Sequence, residues 1–207
     1  MRSENHLIDG QTYRLTKRLG DIILSAGLLI ILSPVLLLIA LAIKLDSKGP
    51  VVFPQIRCGY RKKLFTIYKF RTLYRHCSCY KGGEQVADEG DIRLTPIGGF
   101  LRRYSLDELP QLFNILKGDM SFVGPRPHAV SHHRYYQQQI PHYNQRLAVT
   151  PGLTGLAQVE GWRGPTPQIT QMARRFDYDL AYIRQCCLWL DLRILLLTVW
   201  RGSWREK

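Results

Sequence analysis

The 22 residues from Ile22 to Ile43 carry no charged side chain, and about 20 apolar residues suffice to cross the ~30 Å hydrocarbon core of a bilayer. This run predicts a membrane segment. A cleavable signal peptide fits it poorly, because the stretch is long, the charged region before it is extended, and no small-x-small cleavage site follows. Ser33-Pro34 falls in the middle of the run. Proline lacks an amide donor and its ring clashes with the carbonyl four residues back, so a helix kinks or breaks there. With a start after Thr16 and a break at Ser33, each half has roughly 12 to 16 residues and reaches about 18 to 24 Å, so neither half crosses alone. Arg14, Lys17 and Arg18 precede the run, Lys44 and Lys48 follow it, and nine Lys/Arg with no acid lie between Asp46 and Glu84. Basic flanks prefer the cytoplasmic side. A helix–break–helix that enters and leaves by one face satisfies both flanks, with the Ser33 hydroxyl covering freed backbone groups; a proline-kinked single span is the alternative. Gly49-Pro50 ends the second half.

The remaining length is one domain's worth of the 207 residues, and 45% hydrophobic content excludes a disordered basic tail. Lys+Arg outnumber Asp+Glu by 29 to 16, which points to an anionic partner: nucleic acid, lipid head groups or a phosphorylated substrate. The five cysteines (Cys58, Cys77, Cys79, Cys186, Cys187) form no CxxC pair and no zinc frame, and are expected to be reduced and cytosol-facing.

Val51-Val52-Phe53 and Leu64–Phe70 read as short strands of a hairpin near the membrane, joined by the basic turn Gly59–Lys63. Residues 75–91 read as a loop, and Gly98-Gly99 as a turn. Leu109, Leu112, Phe113 and Leu116 have helical spacing, and Pro110 suits a first turn. Asp107-Glu108 therefore sits at a helix start. Ser105-x-x-Glu108 matches a capping box, which alone would explain the acids. Alternatively, adjacent helical carboxylates point about 100° apart and take separate tasks. An exposed, ionised carboxylate there suits a nucleophile or a Mg²⁺ ligand, and a helix N-terminus favours a phosphate. In Pro125-Arg126-Pro127 two prolines pre-set the direction of an arginine whose fork matches phosphate, although such a segment is also an ordinary rigid loop. His128 and His132, four apart, invite a metal reading that no nearby carboxylate completes. The segment 188–200 is too short to span and reads either as an interfacial helix, with Trp189, Trp200 and Trp204 at head-group depth, or as a core helix.

These residues together resemble the bacterial sugar transferases, the monotopic phosphoglycosyl transferases that start exopolysaccharide and glycan assembly on a polyprenyl carrier. The resemblance runs from about Lys17 to Trp200. It is carried by Ser33-Pro34, Lys69-Phe70-Arg71-Thr72, Ser105-Leu106-Asp107-Glu108-Leu109-Pro110-Gln111, Lys117-Gly118-Asp119-Met120-Ser121, Val123-Gly124-Pro125-Arg126-Pro127 and Pro151-Gly152-Leu153-Thr154-Gly155. It implies an α+β fold: a re-entrant membrane helix broken at Ser33-Pro34 (residues 1–48), then a small, mostly helical cytosolic catalytic domain with a short hairpin and interfacial helices (49–207), acting as one unit. It implies that Asp107 attacks the sugar-linked phosphate of a UDP-sugar, expels UMP and passes the phosphosugar to polyprenyl phosphate. Glu108, with Asp107, would hold Mg²⁺. Lys69, Arg71, Arg126 and Arg146 become candidates for contacting phosphates or nucleotide. Membrane lipids are implied partners, nucleic acid is not, and a homo-oligomer is left open. The implied location is the bacterial inner membrane, with the catalytic domain on its cytoplasmic face.

Thr150 stands where relatives usually place lysine, and Leu73 replaces a common methionine. Larger relatives carry an extra multi-span N-terminal domain, so a minimal catalytic form is expected. Gly161-Trp162-Arg163-Gly164 is similar to members that transfer glucose or galactose phosphate; an N-acetylated sugar is the alternative donor. Two rival functions use the same residues differently. A nucleic-acid binder would employ the Arg57–Arg75 stretch with Phe65, Tyr68 and Phe70 as stacking groups, and a non-catalytic membrane scaffold would need no dyad.

Overall fold

A computed structural model describes residues 2–75, 91–164, 166 and 168–201. The apolar run forms two helices, α1 (Arg2–Ile31) and α2 (Ser33–Asp46). They meet at a break where Gly10–Ile31 and Ser33–Asp46 are bent by 61°. Pro34 occupies the first turn of α2, where its missing N–H costs no bond, and Ser33 Oγ donates to the Ile30 carbonyl at 2.8 Å. No single helix among the described residues is long and apolar enough to cross a membrane.

The hairpin pairs β1 (Val52–Cys58) with β2 (Leu64–Phe70) antiparallel, from Val52↔Phe70 to Cys58↔Leu64. The first strand is longer than Val51-Val52-Phe53 because Pro54 and the polar residues after it pair as well as the apolar ones do: an edge strand tolerates both. The hairpin's open end lies beside the end of α2, since Arg71 reaches the α2 carbonyls. Its basic tip packs against the turn Tyr143–Ala148 instead of projecting freely.

Residues 76–90, with Cys77 and Cys79, lie outside the described part, as does Trp204. Gly98-Gly99, expected as a turn, lies inside helix α3 (Pro96–Arg103), which Thr95 caps by accepting from the Gly98 N–H. A Cβ on Gly98 would stand 2.1 Å from the Thr72 carbonyl oxygen, so glycine here serves close approach of α3 to the strand's exit. Next come a 3₁₀ turn (Leu106–Glu108), α4 (Gln111–Lys117), β3 (Ser121–Val123), α5 (Val130–Gln139), β4 (Gly152–Thr154), α6 (Leu156–Val159), α7 (Ile169–Gln185) and α8 (Leu188–Arg201). β3 and β4 pair in parallel.

The main core joins Phe65 and Ile67 of β2, Leu112 and Ile115 of α4, Phe122 and Val123 of β3, Tyr182 of α7 and Ile194 of α8, with Leu28 and Leu29 of α1 packed on it. α8 thus combines both expectations: Ile194 is buried in the core while Trp189, Leu196, Val199 and Trp200 are exposed. Phe65 and Phe70 are buried, which removes two of the three stacking groups a nucleic-acid binder would need. Cys58, Cys186 and Cys187 are free thiols.

Several polar residues of α1 fasten it to the rest, Tyr13 among them, donating to Asp191 Oδ2 at 3.0 Å. Lys17 pairs with Asp191 of α8 at 2.5 Å. Arg18 donates to the Ile115 and Leu116 carbonyls at 2.6 and 2.7 Å, satisfying the C-terminal end of α4. Asp21 accepts from Ser121 Oγ and the Phe122 N–H of β3.

Candidate active site

The capping box is not formed. Ser105 adopts the left-handed conformation (φ 56°) and makes no cap bond; its hydroxyl accepts from Arg163 at 2.8 Å. The chain then turns through a single 3₁₀ turn carrying Asp107 and Glu108, and Pro110 precedes α4. The expected exposed carboxylates are buried, 7% and 8% accessible, because the turn is covered by β2 and the Pro-Arg-Pro segment.

β2 contributes Lys69, on the same strand face as buried Phe65 and Ile67. Its Nζ lies 2.8 Å from Glu108 Oε1 and 3.7 Å from Asp107 Oδ2. From the other side Arg126 forks onto Glu108, one arm to Oε1 and the other, at 3.3 Å, to Oε2. Both Glu108 oxygens are thus held by cations, whereas Asp107 faces one lysine at longer range.

The two carboxyls are consequently driven apart. Burial acts against the Glu108 anion, but Arg126 and Lys69 overcome it and hold the carboxyl well below the glutamate range. Burial raises the Asp107 carboxyl above its ordinary value, opposed chiefly by Lys69 and reinforced by the Glu108 charge. Two neighbouring acids whose environments separate them can take separate roles, one a fixed anion and the other a reactive group.

Arg71 and Arg146 do other work than sequence reasoning expected. Arg71 is buried and donates to the carbonyls of Ile43, Ser47 and Lys48, clamping the end of α2 to the strand that bears Lys69. Arg146, 2% accessible, gives Nε and Nη2 to Asp179 Oδ2 and Nη2 also to the Arg126 carbonyl. It braces the segment presenting Arg126. His128 is buried against Tyr143, its Nδ1 2.6 Å from the phenol oxygen, and no group of three metal-ligating side chains occurs among the described residues.

Two cations escaped the sequence reading as site residues. Burial lowers the Arg102 pKa, and Asp107 is the foremost charge opposing that, which places its guanidinium within electrostatic reach of the dyad; its Nε donates to Thr72 Oγ1 at 2.9 Å. Arg175 of α7 is pushed down to about 10 by burial and then by Arg126, and it donates to the Gly164 carbonyl. Arg102 was visible as half of a basic pair five residues before Asp107. Arg175 carried no sequence signal, since α7 meets the site only through the fold. Lys69, Arg102, Arg126, Arg146 and Arg175 oppose Asp107, Glu108 and Asp179, a cationic surplus suited to a polyanion.

An apolar cavity of about 680 Å³ opens between the broken helix and the hairpin, lined by Leu29, Ser33, Leu36, Tyr68, Phe70, Pro110 and Phe113 among others. Tyr68 and Phe70 alternate with Lys69 along β2, so they line the cavity from the strand face opposite Lys69. Two carboxylates are hard oxygen donors, and Mg²⁺ is commonly held by one or two such groups with phosphate oxygens and water. Asp107 and Glu108 fit a Mg²⁺ that arrives with a diphosphate.

Comparison with known proteins finds similar chains. The chain is 52% identical over 188 residues to a UDP-glucose:undecaprenyl-phosphate glucose-1-phosphate transferase of Klebsiella pneumoniae, covering 90% of this chain and 40% of that one. Proteins of the same name from Xanthomonas campestris pv. campestris and Caulobacter vibrioides are 50% and 49% identical, over 89% of this chain in both cases and 38% and 68% of theirs. The chain therefore spans well under half the length of two of these three relatives. The profile of the family described as "Bacterial sugar transferase" matches residues 12–205, a span that includes the broken helix, Lys69, the dyad and Arg126, and so this chain belongs to the bacterial sugar transferase family.

Proposed function

We propose that this protein moves a sugar 1-phosphate, glucose 1-phosphate foremost, from a UDP-sugar to undecaprenyl phosphate, the opening step of exopolysaccharide or glycoconjugate assembly. The observation that carries this reading is the buried pair of unlike carboxyls: Glu108 bound by two cations, Asp107 facing Lys69 at 3.7 Å. The relatives' printed names favour glucose over an N-acetylated sugar.

In the first half-reaction an Asp107 carboxylate oxygen attacks the β-phosphorus. The bridging P–O bond breaks, UMP leaves with the bridging oxygen, and the phosphosugar remains as an acyl phosphate. In the second, an oxygen of undecaprenyl phosphate attacks that phosphorus, Asp107 departs as carboxylate, and an undecaprenyl diphosphate sugar forms. Lys69, Arg126 and Arg102 hold the phosphate oxygens in line, which is most of what phosphoryl transfer asks of a protein. Mg²⁺ held by Glu108 and Asp107 would spread the charge developing on those oxygens. The apolar cavity receives isoprene units of the acceptor.

Residues 1–48 form a re-entrant membrane segment and 49–207 the catalytic domain on the cytoplasmic face. Support comes from the anchors: α1 is tied to the domain through Asp21, only ten residues, or about 15 Å of helix, separate that point from the end of α1, and Arg71 ties the end of α2 to the same domain.

The test uses detergent-solubilised protein with Mg²⁺ and a panel of UDP-sugars. Without acceptor, UMP should appear in a burst equal to the enzyme present, and undecaprenyl phosphate should convert it to turnover. Asp107→Asn should remain folded and membrane-bound yet release no UMP; release at the wild-type rate would remove Asp107 as nucleophile. Chelation should stop turnover.

A further inference from the structure

Asn114 is fully buried on α4. Its Nδ2 donates to the Thr66 carbonyl at 2.6 Å, and its Oδ1 accepts from the Tyr68 N–H at 3.0 Å. In an antiparallel pair, backbone groups of alternate residues turn toward the partner strand or away from it. Pro54, which has no N–H, stands opposite Tyr68, and the Tyr68 amide is turned outward to Asn114. One side-chain amide thus pairs with the outer edge of β2 as a neighbouring strand would. The residue after Tyr68 is Lys69, and Asn114 lies six residues beyond Glu108. The bridge therefore joins the strand carrying the lysine to α4, the helix that follows the dyad's 3₁₀ turn, and Lys69 Nζ meets Glu108 of that turn at 2.8 Å. Apolar packing of Ile67 on Leu112 and Ile115 is non-directional and leaves sliding of α4 along the strand open; two hydrogen bonds of fixed direction do not.

We propose that Asn114 is a positioning residue, setting the register of α4 on β2 that places Lys69 against Glu108 and Asp107. Its kinetic consequence rests on the transferase reading above; its effect on Lys69 rests on geometry alone. A displacement of about 1 Å at a transfer site can cost about 10²-fold in rate.

Two readouts on the full chain in detergent test this with Asn114→Ala and Asn114→Asp, the second keeping size and the acceptor for Tyr68 while losing the donor to Thr66. The first readout is acylation of Lys69 by acetic anhydride, mapped by mass spectrometry against Lys117, an exposed residue of the same helix. Lys69 should react several-fold faster in both variants while Lys117 is unchanged. The second is UMP release: kcat should fall about 10²-fold with the donor KM nearly constant, and Asn114→Ala combined with Lys69→Met should be no slower than Lys69→Met alone. Lys69 acylated at the wild-type rate in both variants, or losses that add in the double variant, would overturn the proposal. Faster Lys69 acylation with no UMP from the wild type would uphold the positioning role and defeat the transferase reading. Should Asn114→Ala not fold, Asn114→Asp decides on the same readouts.

Discussion

Asp107 and Glu108 are neighbours in the chain, yet their surroundings differ more than their positions do. Glu108 receives Arg126 and Lys69 together, and its anion is permanent at neutral pH. Asp107 is buried with weaker compensation, so its proton is held more tightly than an ordinary aspartate's. A nucleophile must be deprotonated, and the activity of such a group is lost as pH falls through its raised pKa. The acid limb of kcat/KM therefore belongs above the ordinary aspartate value of ~3.9. Lys69→Met removes the foremost influence lowering Asp107, and should move that limb further up as well as slow turnover; UMP release followed across pH checks it, and a stationary limb would assign the titration to another group. The motif itself picked out Lys69, Asp107, Glu108 and Arg126. The sequence did not show the structural partners of Arg71 and Arg146, because an arginine's surroundings are decided by which carbonyls and carboxylates the fold brings to it, and for these two the partners are 20 to 33 residues away in sequence.

At the level of elements, the apolar periodicity of 109–116 and the alternation in Leu64–Phe70 anticipated α4 and β2. The Gly98-Gly99 pair misled because glycine punctuates turns in isolation, whereas here one of the two is required by contact inside a helix. Gly98→Ala should lower the melting temperature in detergent, since its Cβ would meet the Thr72 carbonyl oxygen at 2.1 Å, a clash of the kind that costs about 1–3 kcal/mol or more. Gly99, with nothing within 4 Å of an added Cβ, supplies the control: Gly99→Ala should hold or raise the melting temperature by restricting the unfolded chain, about 0.4–1 kcal/mol. Equal losses at both positions would show that α3 tolerates no side chain there for some other reason. The capping box failed for a related reason: Ser105 takes a left-handed conformation and turns its hydroxyl to Arg163, a partner 58 residues on.

On the scale of the whole molecule, the broken helix pair and the candidate site are fastened together. Arg18 holds the far end of α4, the helix that follows the dyad, Asp21 holds the strand leading to Arg126, and Arg71 returns the end of α2 to the strand of Lys69. A helix pair fastened at both ends to one domain has its apex at Leu32, which in the re-entrant topology proposed above is its deepest point. Cysteines placed before Lys17 and after Lys48 should accordingly react with a membrane-impermeant maleimide only from the cytoplasmic side of sealed vesicles; labelling from opposite sides would restore the kinked span. The sequence by itself determined that a charge-free run is interrupted by proline, that both its flanks are basic, and that an acidic pair stands beside rigidly presented cations, because these depend on local chemistry and spacing. Only the tertiary structure decided which cations meet the dyad, that the two carboxyls are buried and driven apart, and that α1 is tied to α4, β3, α7 and α8. Those facts depend on contacts between residues distant in the chain, and on the removal of water from between them, neither of which any local pattern records.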